Sequence, residues 1–299
     1  MRILALAEIS DDWANAVAEW RRFNEPLVSS ETGNRAPTAN HEYMLYQTLI
    51  GAWPFEPIGG AFIERIQAYA IKAAREGKRS TSWTDPQESY EKRLTEFVGH
   101  ILDRERSTAF IESIASLTRR TSLLGALNSL SQLTLKLTLP GVPDFYQGTE
   151  LWDLSLVDPD NRRPVDFDQR RTLANEAADW PELITHWRDG RIKMQLMRVL
   201  LRIRREFAVL FRDGAYTPLE FEGPDADRVV GFARTHKRQR VLIIAGRHFS
   251  AHTGGGRHWF QPFDVRLAGE DVAGYRDLLG SRLAHGLFVS LPAVILARP

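Results

Sequence analysis

The sequence contains no cysteine. Disulfides, thiol nucleophiles and thiolate metal sites are thereby excluded, and a reducing cytoplasm is a compatible setting. Charge of one sign is also missing: 39 basic residues against 38 acidic leave a formal charge of +1. Such a chain has no field with which to steer a polyanion, so neither nucleic acid nor an acidic membrane is an expected partner, and a neutral substrate fits better. No apolar run approaches the roughly twenty residues that a bilayer span needs. The start, Met1-Arg2-Ile3-Leu4-Ala5-Leu6-Ala7-Glu8, meets an acid too early for a signal peptide. A cytoplasmic location is the expectation. Internal repeats and low-complexity tracts are missing too. What remains, 43% hydrophobic and 26% charged over 299 residues, suits a globular protein of one large or two ordinary domains.

Periodicity predicts helices over most of the first two thirds. Ser10, Asp11 and Asp12 open one running to about residue 23, with Trp13, Val17 and Trp20 at helical spacing. A polar loop follows from Asn24 to Asn40, then a helix from Glu42 to Ile50 closed by Gly51 and Pro54. Phe62, Ile63, Ile66, Tyr69, Ala70 and Ala73 form an apolar stripe opposite Glu64, Arg65, Lys72 and Arg75, ending near Gly77. Asp85 is placed to cap the next helix, with Pro86 in its first position and Glu88 completing a capping box. Ser107 begins a shorter helix. From Ser122 the leucines fit both periods, since Leu133, Leu135, Leu137 and Leu139 alternate as in a strand while Leu123, Leu127 and Leu130 keep helical spacing. Helix is the reading adopted. Gln169 to Ala177 and Ile192 to Phe207 are further helices. From Tyr216 the pattern changes to short runs, Arg228 to His236, Val241 to Gly246, Phe263 to Leu267 and Leu287 to Ala297, which read as antiparallel strands. The expected domains are 1–212 and 213–299.

The densest stretch is Leu139 to Phe167, LPGVPDFYQGTELWDLSLVDPDNRRPVDF. Pro140 and Gly141 stop what precedes it, residues 143–147 read as a short buried strand, and Gly148 releases the chain. Asp158, Asp160, Asn161, Arg162 and Arg163 then supply donors and acceptors suited to sugar hydroxyls, while Tyr146 and Trp152 offer flat faces for a sugar ring.

Residues 140–150, Pro-Gly-Val-Pro-Asp-Phe-Tyr-Gln-Gly-Thr-Glu, resemble the eighth-strand motif of the α-amylase superfamily. Continued through Arg163-Pro164-Val165-Asp166, the run resembles the maltooligosyltrehalose synthases. His41-Glu42-Tyr43 through Gly51-Ala52-Trp53-Pro54, Lys72 to Glu76 with Thr81-Ser82-Trp83, and Asn128-Ser129-Leu130-Ser131-Gln132 resemble the same family in the same order, more strongly over residues 1–170 than in the last third. The resemblance implies an α+β fold: the mainly helical last part of a (β/α)8 barrel with its final strand, followed by an antiparallel β-sandwich-like domain. It also implies that this chain corresponds to the carboxyl-terminal part of the enzyme, beginning just after the family's His-Asp motif.

The implied chemistry is intramolecular transglucosylation, in which the reducing-end α-1,4 bond of a maltooligosaccharide becomes an α,α-1,1 bond. A retaining reaction of this kind needs an Asp nucleophile and a Glu acid across the scissile bond, with water held out of the acceptor site. Glu150, Asp153, Asp158, Asp160 and Asp166 are close in sequence, yet loop acids mostly bind or cap, and the family carries its catalytic carboxylates on earlier strands. The family's Gly-x-Arg-x-Asp strand, Glu-bearing strand and His-Asp pair are not found, and no histidine here precedes an aspartate. No catalytic residue is assigned. The substrate-binding expectation is Tyr146, Gln147, Trp152, Asp158, Asp160 and Arg162, with a structural Asp-Arg pair locking the loop as the alternative for the last three. Core packing is the alternative for Trp152 and the favoured reading for Phe145; Trp83 reads as a buried plug. His248, His252 and His258 around Gly254-Gly255-Gly256 lack a suitably spaced acid for a metal site, and those glycines lack the Lys-Ser/Thr of a phosphate loop. No cofactor and no metal are expected. The expected partners are a maltooligosaccharide and the amino-terminal part of the barrel. A non-catalytic α-glucan-binding or scaffold protein, or part of an α-glucan hydrolase, are the competing readings.

Overall fold

The computed structural model of the chain describes residues 1–30, 35–176, 178–280, 287–288 and 290–298. Position 177 of the helix expected to Ala177, part of the Asn24–Asn40 loop and position 289 of the last expected strand lie outside them. Packing defines two compact units: residues 2–122 with 154–163, and residue 1 with 123–153 and 164–299. Secondary structure changes from helices to strands between Asp213 and Ala215.

The first unit is helical: α1 (Arg2–Ala5), α2 (Ser10–Asn24), α3 (Ala39–Ala52), α4 (Gly60–Gly77), α5 (Glu88–Ile101) and the start of α6 (Thr108–Thr138). Trp20 centres its core. It is fully buried, meets Trp13, Tyr46 and Phe110 at centroid distances of 5.7, 5.3 and 5.6 Å, mostly edge to face, and donates its indole N–H to Ser113. Glu42 is wholly buried and stays acceptable because Arg35 reaches it at 2.6 Å and Tyr46 donates to it at 2.8 Å.

Two expectations are corrected here. Asp85 does not cap α5, whose N-cap is Gln87; Ser82 instead turns the chain by accepting from the Asp85 amide, and Asp85 accepts from the Gln87 side chain. The serine three residues upstream wins the local competition for that amide. The shorter helix from Ser107 is also absent as a separate element, because α6 runs 31 residues without a break. Its leucines are buried at Leu123, Leu127, Leu130, Leu133 and Leu137, the helical set, so the alternating reading of the same residues loses.

Among its described residues the second unit adds α7 (Phe167–Asn175), α8 (Trp180–Thr185), α9 (Arg191–Glu206) and α10 (Ala208–Asp213) to seven strands. These are β1 (Ala215–Pro218), β2 (Phe221–Glu222), β3 (Val229–His236), β4 (Gln239–Gly246), β5 (Arg266–Leu267), β6 (Arg276–Asp277) and β7 (Ala293–Ala297). A five-stranded antiparallel sheet has the order β1-β3-β4-β7-β6, and β2 pairs with β5 separately. One face of that sheet, Phe232, Ile243 and Ile295, packs in a single core with Leu196, Leu200 and Ile203 of α9 and Leu133 and Leu137 of α6. The expected strand from Phe263 shrinks to Arg266–Leu267, and the last one starts only at Ala293. The α+β class holds. The final barrel strand does not form as a strand: residues 143–147 join no ladder, and the described strands all begin at Ala215 or later. A strand of this type is stable only between neighbours that accept its backbone bonds. No described helix is long and apolar enough to cross a membrane.

Candidate functional site

The central loop divides between the units. Leu154 to Arg163 packs with the helical unit, and the mechanism is a lysine-arginine pair on one face of α4. Arg65 forks onto Asp160, Nε to Oδ1 at 2.9 Å and Nη2 to Oδ2 at 2.8 Å, and also donates to the Leu154 carbonyl at 3.2 Å. Two turns later Lys72 donates to the Asp158 carbonyl. Asp160 further accepts the Leu156 amide at 2.7 Å, so its two oxygens are committed. Burial works to raise the pKa of Asp160, but the Arg65 and Leu156 hydrogen bonds outweigh it and hold the carboxyl below its ordinary range. The chain crosses Asp158–Pro159 in the cis form and makes one short turn over Asp160–Arg162. Arg162 extends into solvent with its side chain 71% exposed, against Asp158 Oδ1 at 2.5 Å, an ion-pair contact without a hydrogen bond. Asn161 Oδ1 is buried and accepts no hydrogen bond.

Residues 139–153 belong to the other unit. Arg204 anchors the end of α6 and the start of the loop by donating to the Leu137 and Gly141 carbonyls. Arg170 closes the far side, reaching the Gly148 carbonyl at 2.8 Å and Glu150 at 3.1 Å. Gly148 takes a φ of +87°, which L side chains rarely adopt, and Val165 lies 3.1 Å from where a Cβ would sit, so any other residue there would be strained and crowded. Between these anchors Tyr146 is 49% exposed and Gln147 is exposed. Phe145 packs inward against the core, with the Lys136 ammonium 4.1 Å from its ring centre. Trp152 packs against the same core, donates to the Trp187 carbonyl at 2.7 Å and carries Lys193 5.6 Å from its ring. Lys193 also donates to the Leu151 carbonyl at 3.2 Å, and burial pushes its ammonium down to about 8, against the pull of Asp153 and Glu150.

The loop acids are therefore in use. Glu150 pairs with Arg170, Asp166 caps α7 through the Gln169 amide, Asp158 faces Arg162 and Asp160 is gripped by Arg65. Among the described residues no group of three His, Cys, Asp or Glu side chains is arranged to hold a metal ion. His252 instead faces buried Asp225 at 2.9 Å.

No protein-family model matches the chain. Two Mycobacterium tuberculosis proteins named for maltooligosyl trehalose synthase, from strains CDC 1551 / Oshkosh and ATCC 25618 / H37Rv, are each 34% identical over 266 residues, covering 88% of this chain and 32% of theirs. A crystal structure of maltooligosyl trehalose synthase covers 100% of this chain and 37% of that protein, at 32% identity and a TM-score of 0.80. The corresponding structures from Sulfolobus tokodaii and Arthrobacter ramosus, also 32% identical over 100% of this chain, give 0.77 and 0.72. The chain belongs to the maltooligosyltrehalose synthase family. It spans about a third of the length of these synthases.

In this synthase-family chain, Tyr146, Gln147 and Trp152 thus sit in one compact unit and Asp158, Asp160 and Arg162 in the other. Within the turn Arg162 pairs with Asp158 and Arg163 with Asp160, while the fork that grips Asp160 comes from Arg65, 95 residues upstream. Trp83 is no buried plug: it is 55% exposed, with the Arg75 guanidinium 4.9 Å from its ring centre, because Arg75 is held against Glu91 and offers its face outward. The sequence reading placed Arg65 and Lys72 on the polar face of α4 without assigning their partners, and it did not single out Lys136 or Lys193. The available signal was that Arg65 and Lys72 lie seven apart on a helix, hence on one face.

Proposed function

We propose that this chain contributes the substrate-contacting loop and the sheet-bearing end of a maltooligosyltrehalose synthase. The reaction is the intramolecular conversion of a reducing-end α-1,4 glucosidic bond into an α,α-1,1 bond. The observation that carries the reading is the likeness of the whole chain, at 32% identity, to a solved synthase. On this reading Asp160 shapes the turn while Asp158, Asn161 and Arg162 meet sugar hydroxyls, and in the other unit Tyr146 and Gln147 are exposed candidates for glucan contact, with Trp152 held in the core. Asn161 Oδ1, buried without a donor, is the acceptor best suited to a hydroxyl.

The chain alone is proposed to make no trehalosyl product. Retaining transfer requires a positioned nucleophile and a proton donor, and the loop acids that could serve are held by arginines or cap a helix. The test is incubation with maltopentaose, alone and with the barrel segment of a relative supplied in trans, followed by loss of reducing ends and the anomeric signals of an α,α-1,1 linkage. Product only in the mixture, with Arg162→Ala raising the Michaelis constant there by about tenfold, supports the proposal. Turnover by the chain alone, abolished by changing Glu150 or Asp158, refutes it. Glucan binding without turnover in both arms would favour the non-catalytic binding reading.

A further inference from the structure

The helical unit of residues 2–122 and 154–163 carries a half-open cleft of about 630 Å³, remote in sequence from the loop. Its size falls within the roughly 300 to 1,000 Å³ of small-molecule sites. Its chemistry is unlike a glucan cleft. Four cationic side chains, Arg35, Lys78, Arg79 and Arg93, line it against a single carboxylate, Asp85. Most of the remaining lining is hydroxyl-bearing, and its aromatic member, Tyr90, is buried and engaged with His41 at 2.5 Å. No exposed ring offers a stacking face there, so the cleft selects for charge and hydrogen bonding.

Two of the cations are fixed by the fold. Arg35 is held by buried Glu42 at 2.6 Å, and Arg93 donates to the Ser89 carbonyl at 3.1 Å. Lys78 and Arg79 are different: both are exposed, and among the described residues neither enters an ion pair. Lys78 moreover occupies the left-handed position after Gly77 that ends α4, with a φ of 53°. Glycine takes that position without strain, whereas lysine there is a backbone outlier of a kind that gathers at ligand clamps. The 14-residue helix α5 also begins at this cleft, and its N-cap Gln87 provides no side-chain hydrogen bond to the first amides. An uncapped helix start favours an anion.

We propose that this cleft binds the phosphomonoester of a sugar, with Lys78, Arg79 and the start of α5 on the phosphoryl group and Ser80, Ser82 and Ser89 on the sugar hydroxyls. The site is separate from glucan contact by the loop and does not depend on it. Isothermal titration of the chain with glucose 6-phosphate, inorganic phosphate, glucose and maltotriose is the test. Glucose 6-phosphate should bind at least tenfold tighter than inorganic phosphate, weaken with added salt, and give no competition with maltotriose; glucose should show no binding at this site. Lys78→Gln with Arg79→Gln should weaken it tenfold or more at unchanged melting temperature, since both side chains are exposed, while the remote exposed change Arg212→Gln should not. Equal affinity for inorganic phosphate would overturn the sugar assignment. No binding of either phosphate, or an unaltered affinity in the double variant, would overturn the site.

Discussion

Single side chains decide the shape of the central loop. Asp160 is largely shielded, its side chain 14% exposed, and Arg65 is its principal counter-charge. Arg65→Met should therefore leave a carboxylate with one amide and the partly exposed Arg163 for company, costing about 1 to 3 kcal/mol. Urea unfolding followed together with limited proteolysis checks this: a lower midpoint with new cleavage between Leu154 and Arg163 is expected, and an unaltered loop would mean that Lys72 suffices. Lys193 makes a pH prediction. Its folded-state value is near 8 against 10.5 ordinarily, because burial disfavours the ammonium beneath Trp152, with Lys136 opposing it and Asp153 and Glu150 favouring it. Between these values the unfolded chain binds the extra proton, so the Lys193 contribution to stability rises with pH across that window and is least favourable below about 8. Lys193→Met should flatten the difference in melting temperature between pH 8 and pH 10 relative to the parent chain. An identical pH dependence in both would remove the buried-ammonium account.

At the scale of elements, the sequence pattern carried the helices because apolar residues at three- and four-residue spacing must share a face. The stripe of α4 and the buried set of α2 follow directly from it. It failed where two local solutions compete for one amide, that of Asp85, which the Ser82 hydroxyl takes in place of the Glu88 carboxylate of the expected capping box, whereas the helical reading of the α6 leucines held. It also failed for long-range partners. Tyr146, Asp158 and Arg162 could be recognised as loop residues suited to sugar, but no local pattern tells that Asp160 meets Arg65 rather than Arg162. Arg234 is a further case. It lies on β3, 1% exposed, and donates to the carbonyls of Thr138, Leu210, Phe211 and Gly214, so one guanidinium terminates both α6 and α10. Burial lowers its pKa, yet it stays the cation that complements two helix carboxyl ends. Arg234→Met, similar in length, should cost about 3 kcal/mol or more, because several buried carbonyls lose their donors together. Chemical denaturation with circular dichroism should show that loss; an effect below about 1 kcal/mol would mean that water reaches those helix ends.

For the whole molecule, the feature with the widest consequence is the extended segment 142–147. It has the composition of a buried strand, yet Val142 is 95% exposed, Tyr146 is 49% exposed and residues 143–147 join no ladder. Unpaired backbone beside apolar side chains is a template for another strand, and a chain presenting it is expected to self-associate or to take up a complementary strand. Two prolines, Pro140 and Pro143, and the anchoring of Gly141 by Arg204 restrict the segment, and although Phe145 packs inward against the core, Val142 and Tyr146 remain exposed. Sedimentation velocity over a hundredfold range of concentration should reveal reversible association. Val142→Lys should shift it to the monomer, because a charge placed in an edge opposes pairing, at little cost to folding where the residue has almost no contacts. A parent chain that stays monomeric throughout, or association indifferent to Val142→Lys, would show that the segment is not the adhesive edge. Suppression of association by the barrel segment of a relative, with trehalosyl turnover appearing in the same mixture, would tie the exposed strand to the reaction proposed for the family.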